Sequence, residues 1–248
     1  MRNNHLSYRS GNPVLTSKAF NIPTDSSDVM TINGTVTKTF LSLCLVIISG
    51  YYSWIYISVT NILILPSIIG AFVLGIVTIY KKHLSPITVP IYAVIQGIFL
   101  GALSYTFNTL YDGIVITAIS YTLSILFVML TLYRTGIIKP TENFKLGLAA
   151  GTGGIALIYL ANFVMSFFGT GIPIMDTNNA SIYSIGFSLF VIIMAALNLV
   201  VDFDFIEEGS EKGAPKYMEW FGAFGLMVTL IWLYIEILRL LAKMNSRK

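Results

Sequence analysis

Apolar residues in this chain are gathered into long blocks, separated by short polar punctuation. Seven blocks stand out: about Thr37 to Ile57, Asn61 to Tyr80, Pro86 to Phe107, Gly113 to Tyr133, Leu146 to Phe168, Ile182 to Phe205 and Met218 to Ala242. Each holds about 20 residues or more, enough to cross roughly 30 Å of hydrocarbon as a helix. A backbone in lipid must satisfy its own hydrogen bonds, so runs of this length predict α-helices. They lack the short alternating pattern of a transmembrane barrel. The pattern predicts an all-α, polytopic membrane protein whose seven transmembrane helices occupy residues 36–242. A polar, mobile tail is expected at residues 1–35 and a short basic tail at 243–248.

The punctuation sets the orientation. Tyr51, Tyr52, Trp54 and Tyr56 close the first block, where aromatic rings favour the water–lipid interface, and Lys81, Lys82 and His83 close the second. With seven crossings, one side carries Arg2, Arg9, Lys18, Lys38, Lys81, Lys82, Arg134, Lys139, Lys145, Lys212 and Lys216. The other carries Arg239, Lys243, Arg247 and Lys248. The excess places the N-terminus in the cytoplasm. The basic C-terminal end runs against it.

Composition agrees with the pattern. The chain is 55% hydrophobic and 11% charged, with a mean hydropathy of +0.77; a soluble domain carries roughly 25% charged residues. The net charge of +3 lies in tails and loops. It suits anionic lipid headgroups and not nucleic acid. The single cysteine, Cys44, excludes an internal disulfide. The polar opening stretch has no apolar core of a signal peptide, so the first span is expected to act as its own insertion signal. Gly97 with Gly101, and Gly147 with Gly151, have the spacing of small residues that lets helices approach closely, within one chain or between two.

The candidate chemistry is acidic. The sixth block ends in Asn198-Leu199-Val200-Val201-Asp202-Phe203-Asp204, and the seventh carries Glu236 deep inside it. A carboxylate at the edge of hydrocarbon, or within it, is costly and marks a functional candidate. Asp202 lies one turn beyond Asn198, on the same helix face, and Asp204 points elsewhere. If packing brings Asp202 and Glu236 together, the two acids share a proton, since both cannot ionise easily in a poorly solvated site. The competing account pairs Glu236 with Arg239, three residues on, and leaves Asp202 in interfacial water. Gln96, in the third span, either lines a pathway or bonds between helices. Glu219, at the head of the last span, reads as an anchor near a helix N-terminus.

No GxSxG elbow, HExxH or phosphate-binding loop is present, and the two histidines make no metal site. No enzymatic activity and no cofactor is expected.

Several stretches carry a resemblance. They are Ser10-Gly11-Asn12-Pro13-Val14-Leu15, the run Tyr92-Ala93-Val94-Ile95-Gln96-Gly97-Ile98-Phe99-Leu100-Gly101-Ala102-Leu103-Ser104, and the segment from Asn198 to Leu241. Within the last, Asp202-Phe203-Asp204-Phe205-Ile206-Glu207 and Gly213-Ala214-Pro215-Lys216-Tyr217-Met218-Glu219-Trp220 are the most specific. Over nearly its whole length the chain resembles the Bax inhibitor-1/YccA family, in its prokaryotic branch with a polar N-terminal tail. The resemblance implies a seven-helix fold around the last helix, and a calcium leak gated by protons at two aspartates. Asp202 matches the first position. Glu236 stands where the second aspartate is expected, and Gln96 where the third span of the family offers a glutamate. Asp204, Asn198 and Arg239 are supporting candidates.

The leading expectation is a pH-sensitive cation leak channel, with calcium and protons as its ions, in a bacterial inner membrane. The alternative is an interaction protein that modulates a membrane-bound protease or a stress response, with the polar tail docking on the partner. A secondary transporter is a weaker idea, because no pair of broken helices is visible.

Overall fold

A computed structural model describes residues 29–247. The polar tail, with Arg2, Arg9, Lys18 and the motif from Ser10 to Leu15, lies outside the described residues. Within them the fold is helical. Seven apolar helices match the seven blocks: α1 (Ile32–Ile55), α3 (Ile64–Tyr80), α4 (Ser85–Leu110), α5 (Ile114–Arg134), α6 (Glu142–Ser166), α7 (Ile182–Glu211) and α8 (Met218–Asn245), with the single turn α2 (Ile57–Thr60) after α1. Six are long and apolar enough to cross a membrane; α3, at 17 residues, is shorter. The helix starts follow local chemistry. Thr31 caps α1 and Thr141 caps α6, each hydroxyl accepting a backbone N–H three residues on. Gly113 turns the chain from α4 into α5 at φ 76°, a left-handed conformation that favours glycine.

The helices differ in what surrounds them. In α8, 83% of the most apolar stretch is buried, against 11% in α6 and 17% in α1. A helix apolar on all sides and buried on all sides belongs inside a bundle; one apolar but exposed faces lipid. Phe40 and Ile47 on α1, Phe72 on α3, Phe127 on α5 and Phe163 on α6 are exposed in this way. Such side chains fit a bilayer.

The chain forms two compact units, and α7 and α8 contribute a part to each. One unit holds α1 to α4 with Asp204–Val228. Here α1 crosses α4 at the predicted glycine pair. A Cβ on Gly97 would meet Ser49 Oγ at 1.9 Å, and one on Gly101 would meet the Gly50 carbonyl at 2.2 Å. The pair therefore serves packing within the chain. Tyr92 stacks edge-on against Phe224, centroids 4.9 Å apart. Met30 donates its N–H to the Ala214 carbonyl at 2.7 Å, tying the start of α1 to the hairpin between α7 and α8.

The other unit holds α5 and α6 with α7 up to Phe203 and α8 from Thr229. Its core is Leu148, Ile155, Val191, Met194 and Val201, with Tyr159 and Trp232 packed against it. Of the second glycine pair, Gly151 faces Met194, whose Cε would lie 2.4 Å from an added Cβ, whereas Gly147 meets nothing.

Candidate functional site

Glu236 lies in α8, 2% exposed. Its Oε1 accepts a 2.5 Å hydrogen bond from the Tyr159 hydroxyl of α6 and a 3.2 Å bond from Arg239, one turn along its own helix. The Arg239 guanidinium also lies over the Tyr159 ring, 5.4 Å from its centroid. The three side chains form one cluster, which Trp232 joins through a side-chain hydrogen bond to Tyr159. Tyr159 satisfies the acid across the helix interface, and Arg239, whose side chain is 34% exposed, supplies charge from the wetter side. The pairing of Glu236 with Arg239, which the spacing allowed, is present. Tyr159 had no signal of its own within an apolar run.

Asp202 is fully buried in α7, and Asn198, one turn before it, is 1% exposed. The Asn198 side-chain amide donates to Thr152 Oγ1 at 2.9 Å and to the Met194 carbonyl at 2.8 Å. Asp202 therefore does not sit in interfacial water.

The shared proton between Asp202 and Glu236 does not survive the register of the helices. Asn198 is level with Thr152 on α6, and Glu236 with Tyr159. Those two positions on α6 are two turns apart, about 10 Å at 1.5 Å per residue. Asp202 lies one turn further from Glu236, so the acids are about 15 Å apart in height. The hairpin joining α7 and α8 sets this offset. The two carboxylates lie at separate heights in the unit.

The remaining sequence candidates lie in the unit that contains α4. Asp204 and Gln96 are each half-buried there. Glu219 in the same unit is more than a surface anchor. It is fully buried, and its Oε1 accepts from the Thr31 N–H at 2.9 Å and the Thr31 hydroxyl at 2.8 Å. Lys38 pairs with the other oxygen, and Lys216 approaches at 3.3 Å. The carboxylate fills the space beside Gly34 where a side chain would stand. This group clamps the start of α1 to the start of α8. In the adjoining hairpin, burial lifts the Tyr217 phenol above its ordinary 10.0.

Lys243 also departs from expectation. The pattern puts it in a basic tail at 243–248, whereas α8 continues to Asn245 and Lys243 is 2% exposed. Its spacing of seven from Glu236, two helical turns, was the signal that both share a face.

A family model described as Bax inhibitor 1 like matches residues 12–246. No curated protein and no solved structure matches the chain.

Proposed function

The chain belongs to the Bax inhibitor 1 like family, and from that premise we propose that it is a pH-sensitive cation leak, with calcium as the permeating ion and protons as the controlling one. It works without catalysing a covalent reaction, in a bacterial inner membrane, with its N-terminus in the cytoplasm. The observation that carries this reading is the pair of acids inside membrane-crossing helices, Asp202 at 0% and Glu236 at 2% exposure. A carboxylate at such depth is retained for an ion or proton pathway more often than for packing. Asp202 supplies negative charge. Glu236, already paired with Arg239 and Tyr159, responds to protons by changing what it holds: ionised, it binds the guanidinium; protonated, it releases the charge that keeps Arg239 in place. Protonation of the acids also removes the attraction for a cation. Flux therefore rises with pH as they ionise.

The test is calcium entry into liposomes carrying the purified protein, read with an enclosed indicator at several pH values. Entry above protein-free liposomes, rising with pH, is expected. Entry equal to protein-free liposomes at every pH would reject the leak. It would favour the role of an interaction protein acting on a membrane-bound protease.

A further inference from the structure

The end of α8 holds a cation that the leak reading does not use. The Lys243 ammonium donates to the Ile174 carbonyl at 2.8 Å, to Ser188 Oγ at 2.9 Å and to the Ser184 carbonyl at 3.3 Å. An ammonium has three donors, and here three neutral oxygens meet them. No carboxylate lies within ion-pair distance of it among the described residues. The charged groups that act on it are Glu236, Asp176 and Arg239.

This is not how a lysine near a helix end normally behaves. Such a residue bonds the last carbonyls of its own helix or extends its head into water. Lys243 does neither: all three acceptors belong to other segments, and the residue is 2% exposed. Ile174 sits in the 3₁₀ turn Pro173–Met175, and Ser184 and Ser188 in the first two turns of α7. The turn that carries Ile174 is held without the lysine. The Ser184 hydroxyl donates to the Ile174 carbonyl at 3.0 Å, and the Asn179 amide holds the Pro173 carbonyl at 2.8 Å. Ser184 and Ser188 are themselves buried. Two carbonyls and a hydroxyl gathered around one buried point are the kinds of ligand with which proteins replace the water shell of a monovalent cation. Ammonium and potassium are close in size and charge.

We infer that the cradle of Ile174, Ser184 and Ser188 is a monovalent-cation site of potassium-like size, kept occupied from within the chain by the Lys243 ammonium. As a tethered ion, Lys243 closes this end of the helical unit to permeating cations. The closing role rests on the leak reading; the site does not, and the experiment separates them.

Lys243→Ala empties the cradle. In detergent, its unfolding midpoint should rise by about 2–4 °C when potassium chloride replaces an equal concentration of N-methylglucamine chloride. Sodium should do less, and the wild type should not respond. Lys243→Met, which fills the space with a neutral group, should not respond either. A Lys243→Ala midpoint indifferent to potassium would overturn the site. If the variant folds poorly, Lys243→Ser, which adds a hydroxyl to the cradle, carries the same comparison. If neither folds without potassium, refolding yield against potassium concentration becomes the readout, and a yield indifferent to it is again fatal. In liposomes, Lys243→Ala should pass potassium several-fold faster than wild type. Potassium stabilisation without that increase would keep the site and overturn the plug.

Discussion

Replacing Tyr159 by Phe removes one hydroxyl from the Glu236 cluster and leaves the ring on which Arg239 lies. The magnitude follows from what Glu236 keeps. Hydrogen bonds between helices in membranes average about 0.6 kcal/mol and reach about 1.7. A charged acceptor makes such a bond roughly twice as strong. The 2.5 Å contact with a carboxylate 2% exposed belongs at the upper end. The Arg239 ion pair contributes less, about 0–1 kcal/mol, because its side chain is 34% exposed and screened. Tyr159→Phe should therefore cost about 1–2 kcal/mol of stability. Reversible unfolding in mixed micelles measures it, and a double-mutant cycle with Glu236→Met, which fills similar space without an acceptor, isolates the contact. A coupling of about 1 kcal/mol is expected. Single effects that add to within about 0.3–0.5 kcal/mol would show that the hydroxyl and the acid do not act together, and would refute the cluster.

Other perturbations follow from close contacts. Gly101→Ala drives a Cβ into the Gly50 backbone, 2.2 Å from its carbonyl oxygen, and neither helix can yield by a side-chain rotation; a loss of about 1–3 kcal/mol in the same unfolding assay is expected. Glu219→Gln keeps the shape of the clamp but leaves Lys38 and Lys216 without their acid. Because Lys38 can turn outward, a loss of about 2 kcal/mol is expected, with faster proteolysis near Thr31. The Tyr217 phenol titrates higher in the folded protein than its ordinary 10.0, so its neutral form is favoured by folding. That contribution is fully present below pH 10 and is lost as pH rises through the folded value. Tyr217→Phe should lose less stability than wild type between pH 9 and 11, in thermal melts.

The helices were legible because membrane length and apolar content speak in every span. The fourth block, about Gly113 to Tyr133, and its helix Ile114–Arg134 differ by one residue at each end. Where the boundary moved, the cause was polar sequence that continues a helix beyond hydrocarbon. The helix α7 runs past Phe205 through Glu207 and Glu208 to Glu211, and α8 past Ala242 to Asn245. The individual acids were legible for the same reason that they are costly. Their partners were not. Tyr159 is 77 residues from Glu236, and Thr31 is 188 from Glu219. Nothing in the local pattern marks either. Asp202 and Glu236 are held at different heights by the antiparallel packing of α6 and α7, an offset that no helical wheel contains. Lys243 was misplaced because a basic residue near a chain end reads as solvated until its acceptors are seen.

The most direct measurement is calcium flux against pH for wild type and Glu236→Gln in matched liposomes, with Asp202→Asn alongside. The substitution keeps an acceptor for Tyr159 and removes the titrating charge. The leak account predicts that wild-type flux rises with pH, and that Glu236→Gln and Asp202→Asn each flatten the rise without unfolding the protein. A wild-type curve that rises with pH and is reproduced unchanged by both variants would contradict the assignment of the buried acids as the proton-responsive elements.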